Sequence, residues 1–244
     1  MLAVMTRLDG RQPDQLRPVK ILPHCLESPA GSVQIEMGRT RVLCAVSVEN
    51  GVPRWMREQR VTGGWITAEY SMLPYASAPR KAREVTRGRP EGRTQEIQRL
   101  IGRALRAVVD LEKLGERTLW VDCDVLQADG GTRTAAITGA SVAFALALRQ
   151  LAAAGTLPVN PMTCQVAAVS VGLVDGEPLL DLCYEEDVRA TVDANVVMTA
   201  AGEFVEVQAT GEEAPFARRD LARILTLAET GIRELLILQK KALE

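Results

Sequence analysis

Two adjacent glycines and an arginine mark residues 125–141 as a candidate site for chemistry. An alternating, strand-like pattern precedes Gly130 and Gly131, and an alanine-rich helical pattern follows them. Backbone N–H groups in such a strand-to-helix turn converge on one point, where the positive end of the helix dipole also attracts an anion. Arg133 can close this site with a forked, charge-assisted contact. The segment therefore predicts an anion site, and a tight turn beside a surface arginine is the alternative.

Positive charge is concentrated in a second segment, residues 80–106. It contains nine basic and three acidic residues, a net charge of +6, whereas the whole chain has a formal net charge of −2. One basic segment on an acidic body predicts a localised site for phosphate groups rather than a general nucleic-acid coat. A solvated helix face is the alternative.

Acidic residues cluster at a third place, where a predicted strand ends. Asp181 lies in the predicted strand 179–184, and Glu185, Glu186 and Asp187 follow. Carboxylates at the end of a strand can hold a hard divalent ion such as Mg²⁺, which neutralises charge on a phosphoryl group. A solvated acidic loop is the alternative to this metal site.

Composition argues against several other kinds of chemistry. The single histidine, His24, leaves no basis for a histidine-based triad, and the five cysteines are too far apart in sequence for a zinc or redox motif. No Walker-type or dinucleotide-binding glycine motif is present. The remaining inventory fits phosphoryl transfer, whose transition state needs mainly positioning and charge neutralisation. The apolar run at the N-terminus is too short for a signal peptide, so we expect a cytoplasmic protein.

The elements that position these residues follow from the spacing of apolar side chains. Strands are predicted at 17–22, 32–37, 40–49, 65–72, 118–126, 165–174, 179–184, 194–199 and 204–210, and helices at 94–115, 134–154 and 217–243. Four strands followed by a helix occur twice, which predicts an α+β fold of two related halves in a single domain, residues 1–244. The helix 134–154 is apolar nearly all round and is therefore predicted to be buried near their junction.

Six longer motifs carry a resemblance to a known family. They are Gly-Trp-Ile-Thr-Ala-Glu-Tyr (64–70), Gly-Arg-Thr-Gln-Glu-Ile-Gln-Arg-Leu-Ile (92–101), Asp-Cys-Asp-Val-Leu-Gln-Ala-Asp-Gly-Gly-Thr-Arg-Thr (122–134), Asn-Pro-Met (160–162), Val-Ala-Ala-Val-Ser-Val-Gly (166–172) and Asn-Val-Val-Met-Thr (195–199). Over nearly its whole length the sequence resembles the ribonuclease PH family of phosphorolytic 3′-to-5′ exoribonucleases, which is related to the exosome ring subunits. The resemblance implies a ribosomal protein S5 domain 2-like fold with two halves of mixed β-sheet and packed helices.

The resemblance also implies the site residues and the reaction. Inorganic phosphate, as co-substrate, would attack the last phosphodiester of an RNA 3′ end and release a nucleoside diphosphate, and the reverse reaction would add nucleotides. Asp187 would donate a proton to the departing 3′ oxygen. By position, the resemblance implies phosphate binding by Arg93, Gly131, Thr132 and Arg133, catalysis and Mg²⁺ binding by Asp181 and Asp187, and RNA binding by Arg99, Arg80 and Arg83.

The partners implied are RNA, with tRNA 3′ ends first and rRNA as a further substrate, and copies of the same chain in a hexameric ring built as a trimer of dimers. Tyr75 and the segment 88–92 depart from the family pattern, which bears on RNA affinity. A non-catalytic RNA-binding ring subunit is one alternative function. A small-molecule kinase is another, but residues 130–135 lack the glycine- and serine-rich loop that such kinases use.

Overall fold

The computed structural model describes Arg7 and residues 9–89, 91–212 and 214–244, so the apolar run at residues 1–6 lies outside the described part. In the described residues the strands are β1 (Val19–Pro23), β2 (Gly31–Met37), β3 (Thr40–Asn50), β4 (Trp65–Met72), β5 (Arg117–Gln127), β6 (Val166–Val174), β7 (Glu177–Leu180), β8 (Val192–Thr199) and β9 (Phe204–Gly211). The α-helices there are α1 (Arg54–Glu58), α2 (Gly92–Arg106), α3 (Leu111–Leu114), α4 (Thr132–Ala153), α5 (Tyr184–Arg189) and α6 (Arg218–Ala242), and a 3-10 helix covers Glu84–Arg87.

The strands form one sheet in each half of the chain. The first sheet has the order β1-β2-β3-β5-β4, and the second has the order β7-β6-β8-β9. All neighbours are antiparallel except β4 and β5. Parallel neighbours need a crossover connection, and the segment that contains α2 supplies it, with α2 packed against β4. Strand β5 is an interior strand with β3 and β4 on its two sides. The loop after its last residue, Gln127, therefore lies between neighbouring strands rather than at the side of the sheet.

Helix α4 is the interior element that joins the halves. It packs against β2 and β3 on one side and against β6 on the other, and its residues 134–148 are all buried. The approach to β2 is close, because a Cβ atom on Gly31 would lie 2.1 Å from the carbonyl oxygen of Ala143. The helix is long and apolar enough to span a membrane by composition, but 72% of its apolar window is buried inside the fold. The prediction of a buried helix at the junction is therefore confirmed.

Two predicted elements differ from the structure. The predicted helix 94–115 ends at Arg106 and restarts at Leu111, because the side chain of Asp110 caps the new helix by accepting a hydrogen bond from the Glu112 N–H at 3.2 Å. The predicted strand 179–184 ends at Leu180, and the acidic residues after it form helix α5 instead of a loop.

The start of α5 explains why the strand stops. The Cys183 N–H donates to the Glu186 carboxylate at 3.0 Å, and the Cys183 side chain accepts from the backbone of the same turn, which is a capping box with cysteine in the capping position. Asp181, one residue after β7, has a left-handed backbone with φ of 53°. The chain therefore leaves the sheet at Asp181 and begins a helix three residues later, at Tyr184.

Candidate active site

The two glycines lie in the loop between β5 and α4, as predicted. Gly130 has φ of 76° and Gly131 has φ of 62°, a backbone region that favours glycine. A Cβ atom on Gly130 would lie 2.5 Å from the carbonyl oxygen of Leu182, so the loop is in backbone contact with the segment that leads into α5. Residues 129–133 are called the glycine loop below.

The carbonyl groups of the glycine loop are held from inside the fold. The Arg17 guanidinium donates to the carbonyl oxygen of Asp129, and the Thr40 hydroxyl donates to that of Gly130 at 2.7 Å. The first N–H groups of a helix have no partner within the helix. The loop therefore presents the start of α4, where N–H groups and the helix dipole favour an anion.

Arg93 and Arg133 lie beside this helix start together with Asp187. The charges of both arginines act on the Asp187 carboxylate, although burial outweighs them and raises its pKa above the usual value. Arg133 donates to the side chains of Gln208 at 3.0 Å and Glu96 at 3.3 Å, which orient it. The structure thus brings predicted residues from α2, α4 and α5 to one place.

Sequence reasoning missed Tyr70, which lies under the same site at the end of β4. Its hydroxyl donates to the Thr132 hydroxyl at 2.8 Å. Burial raises the pKa of Tyr70 while the charges of Arg93 and Arg133 oppose the shift, so the phenol stays protonated as a donor. Tyr70 belongs to the motif 64–70, and this membership was the signal that could have identified it as a site residue. The alternating strand pattern by itself indicated a buried core residue.

Asp193, on β8, is a second acid that sequence reasoning missed. Burial raises its pKa, the negative charge of Asp187 raises it further, and Arg133 opposes both effects. The Asn195 side chain donates to its carboxylate at 3.3 Å. An acid in an otherwise apolar strand was the signal in the sequence. Asp187 and Asp193 are therefore two partly buried carboxylates that repel each other within one site.

Asp181 has a different environment from the one expected for a metal ligand. It is fully buried, and its carboxylate forms an ion pair with Arg17, with Arg17 Nη2 at 2.6 Å and Nε at 2.9 Å. Among the described residues, no three histidine, cysteine, aspartate or glutamate side chains converge where they could hold a metal ion. Metal binding by Asp181 and Asp187 stays a prediction.

The predicted RNA-binding arginines lie outside this cluster. Arg80, Arg83 and Arg99 are exposed, and the positive charge of Arg83 opposes the burial that raises the pKa of Asp124 on β5. Their contact with RNA stays a prediction.

The basic residues further along α2 already have partners in this chain. Arg103 forms an ion pair with Glu206, while Arg106 stacks 4.6 Å from the centre of the Trp65 ring and donates to the Ile66 carbonyl at 2.7 Å. Arg99, earlier on the same helix, is exposed.

Two family models match the chain and identify its class. The model of the 3′ exoribonuclease family, domain 1, matches residues 15–150, and the model of domain 2 matches residues 164–231. The chain belongs to the 3′ exoribonuclease family, and the predicted family and class of enzyme are confirmed. The prediction that residues 1–244 form a single domain stays a prediction.

Curated relatives resemble the chain over nearly its whole length. Ribonuclease PH from Corynebacterium efficiens is 61% identical over 238 residues, which cover 98% of this chain and 96% of the relative. Ribonuclease PH from Bacillus subtilis is 59% identical over 239 residues, which cover 97% of this chain and 96% of the relative.

Solved structures confirm the predicted α+β fold of two halves. Rice Rrp46 has a TM-score of 0.78 at 20% identity and covers 98% of this chain and 100% of its own. The Archaeoglobus fulgidus exosome with RNA bound to the active site has a TM-score of 0.76 at 23% identity, over 94% of this chain and 91% of its own. At these identities the likeness concerns the fold.

Proposed function

We propose that the chain is a phosphate-dependent 3′-to-5′ exoribonuclease that shortens RNA 3′ ends, those of tRNA precursors first, and releases nucleoside diphosphates. The observation that carries this proposal is the meeting of a helix start, two arginines and a partly buried carboxylate of raised pKa at one place. The helix start and the two arginines attract inorganic phosphate, and the carboxylate supplies an acid. The curated relatives named Ribonuclease PH support the same activity.

The chemistry then follows from the positions of these groups. Phosphate binds at the N–H groups of the α4 start, between Arg93 and Arg133, which neutralise its charge and aim one oxygen at the RNA. That oxygen forms a new bond to the phosphorus of the last phosphodiester as the bond from phosphorus to the upstream 3′ oxygen breaks. Asp187 lies beside this site and gives the leaving oxygen its proton, a role that the burial which raises its pKa supports. The products are a nucleoside diphosphate and an RNA one nucleotide shorter.

We also propose that Mg²⁺ assists the reaction, and that Asp193 holds it together with Asp187 once Asp187 has given up its proton. Burial raises the pKa of both carboxyl groups, and the negative charge of Asp187 raises that of Asp193 further, so the two carboxylates form an oxygen donor set suited to a hard cation. Asp181 is less suited, because Arg17 already engages both of its carboxylate oxygens. When bound, the ion would neutralise charge on the phosphoryl group.

The partners in this proposal are RNA and other copies of the chain. Arg80, Arg83 and Arg99 contact RNA upstream of the cleaved bond, and the chain acts in the cytoplasm as a homohexameric ring. Two structural neighbours, the Archaeoglobus fulgidus exosome with RNA bound to the active site and an archaeal exosome core, support a ring that acts on RNA. Sedimentation equilibrium measures the stoichiometry, and a mass other than six chains would contradict the hexamer.

Incubation of a 3′-extended tRNA with Mg²⁺, with and without inorganic phosphate, tests the activity. We expect nucleoside diphosphates only when phosphate is present, and no such product from Arg133→Ala. Arg233→Ala is the matched control, because Arg233 is an exposed residue of α6 paired with Glu229. Nucleoside monophosphates without phosphate would contradict phosphorolysis. RNA binding without any product would favour the non-catalytic ring subunit.

A further inference from the structure

Three arginines near the beginning of the chain are buried beside the candidate active site. Arg7, Arg11 and Arg17 are each at most 7% exposed. A buried guanidinium is costly unless charged or polar partners satisfy it. Here the partners of all three arginines include a distant part of the chain, residues 180–186, which connects β7 to α5.

Asp181 receives contacts from all three arginines. Its backbone carbonyl accepts from Arg7 Nη2 at 3.1 Å and from Arg11 Nη1 at 3.0 Å. Its carboxylate accepts from the Arg17 guanidinium, and the Arg17 backbone N–H donates to the same carboxylate at 2.9 Å. Asp181 has a left-handed backbone, which is unfavourable for a residue with a side chain. The arginines therefore hold the residue at which the chain turns toward Asp187.

The helix that carries Asp187 is held by the same arginines. Arg7 forms a two-pronged ion pair with Glu186 on α5, at 2.8 Å from Nε and 2.6 Å from Nη2. Arg11 contacts the same carboxylate at 3.5 Å. Glu186 precedes Asp187 directly, so these pairs fix the turn of α5 that presents the proposed acid.

Arg17 alone also reaches the glycine loop. Its guanidinium donates to the carbonyl oxygen of Asp129 and lies 3.5 Å from that of Gly130. A Cβ atom on Gly131 would lie 2.9 Å from Arg17 Nη2, so the guanidinium packs directly under the loop. One buried side chain thus bonds the anion-binding loop on one side and Asp181 on the other.

We propose that Arg17 is a positioning residue for phosphorolysis: it joins the glycine loop to Asp181 and so sets the distance between the bound phosphate and the Asp187 carboxylate. Asp181 acts through Arg17 by orienting its guanidinium. This inference rests on the proposed function, because the distance matters only if phosphate bound at the loop is the attacking group. In this role Arg17 acts through the groups that it holds, the Asp129 carbonyl and the Asp181 carboxylate.

Arg17→Lys tests the inference directly. A lysine keeps the charge but has a single nitrogen, so it cannot contact the Asp129 carbonyl and both Asp181 oxygens together. We expect kcat to fall by about 10- to 100-fold and the KM for phosphate to rise, because a small misplacement of reacting groups costs this much. The Kd for RNA, measured without phosphate, should stay the same, since the RNA-binding arginines lie elsewhere. Circular dichroism establishes that the variant is folded.

A second variant moves Arg17 without replacing it. Gly38, in the turn between β2 and β3, has φ of 57°, and a Cβ atom there would lie 2.6 Å from Arg17 Cδ. Gly38→Ala should therefore displace the Arg17 side chain and lower kcat for phosphorolysis. Gly202→Ala is the matched control, because Gly202 also lies in a hairpin turn, with φ of 84°, and has no neighbour within 4 Å of an added Cβ. Both variants place a side chain at a positive φ, and only the first reaches Arg17.

The outcomes separate the two proposals. A wild-type chain that releases no nucleoside diphosphate overturns the proposed function and this inference with it. An active wild type with unchanged kcat and phosphate KM in folded Arg17→Lys, or equal kcat in Gly38→Ala and Gly202→Ala, overturns the positioning role alone. A parallel loss of RNA affinity would also overturn it. If Arg17→Lys does not fold, the comparison of the two glycine variants decides.

Discussion

Tyr70 and Thr132 share a hydrogen bond that connects the end of β4 to the first residue of α4, with 2.8 Å between their hydroxyl oxygens. Thr132 is one of the residues proposed to bind phosphate, and Tyr70 is buried beneath it. The bond therefore fixes the rotation of the Thr132 hydroxyl at the start of the helix, and its contribution can be measured.

Tyr70→Phe removes this donor while keeping the ring that fills the core. A net hydrogen bond is worth about 0.5–1.5 kcal/mol, so kcat/KM for phosphate should fall by about 2- to 10-fold. Steady-state release of nucleoside diphosphate at varied phosphate measures the effect. Tyr75→Phe is the control at saturating RNA, since Tyr75 is 70% exposed and should leave kcat/KM for phosphate unchanged. Equal rates for wild type and Tyr70→Phe would mean that Thr132 is oriented without this bond.

Asp193→Asn separates a metal-binding role from a structural one. Removing one of two repelling carboxylates should leave the free energy of unfolding unchanged or higher, because burial and Asp187 disfavour the charge of Asp193. The Mg²⁺ concentration needed for half-maximal activity should rise by about 10-fold or more. Titration of activity with Mg²⁺ after removal of metal by EDTA measures this.

Glu229→Gln is the control for this change, because it removes an exposed carboxylate of α6 that is paired with Arg233. A lower thermal midpoint for Asp193→Asn with an unchanged Mg²⁺ requirement would assign Asp193 to the fold instead.

The glycine loop and its helix could be predicted from the sequence because their signals are local. Gly130, Gly131 and Arg133 are adjacent, and the change from alternating to helical spacing occurs within a few residues of them. The long helices α4 and α6 were predicted for the same reason, since their apolar spacing extends over many turns.

The residues missed by sequence reasoning depend on contacts between distant segments. Tyr70 is 62 residues from Thr132, and Arg17 is 164 residues from Asp181. No local pattern reports such pairs, and a buried arginine looks like a surface arginine in a sequence. Helix α5 was missed because it spans six residues and cysteine occupies its capping position.

The exposed arginines allow RNA affinity to be tested separately from chemistry. Arg99→Gln should weaken RNA binding and reduce the slope of log Kd against log salt by about 0.7, the value expected for one phosphate contact with a single strand. The KM for phosphate should not change. Fluorescence anisotropy with a labelled RNA at several salt concentrations measures both quantities.

Arg103→Gln is the matched control one turn further along α2, where Glu206 already pairs with the guanidinium. It should change the slope less than Arg99→Gln does. Equal slopes for both variants and wild type would remove Arg99 from the RNA path. The same comparison applies to Arg80 and Arg83, each of which should reduce the slope when neutralised.

Gly130→Ala tests the backbone contact between the glycine loop and the segment before α5. The new Cβ would lie 2.5 Å from the Leu182 carbonyl oxygen and 2.8 Å from the Cys183 carbonyl carbon, so one of the two segments must shift. Because Asp187 follows in α5, the shift changes its distance from phosphate bound at α4. We expect kcat to fall by about 100-fold.

Gly155→Ala isolates the backbone strain, since Gly155 has φ of 69° and no neighbour within 4 Å of an added Cβ. That control should cost about 1 kcal/mol of unfolding free energy and leave kcat unchanged. If both variants lose stability equally and retain full activity, the contact between the two segments does not set the geometry of the reaction.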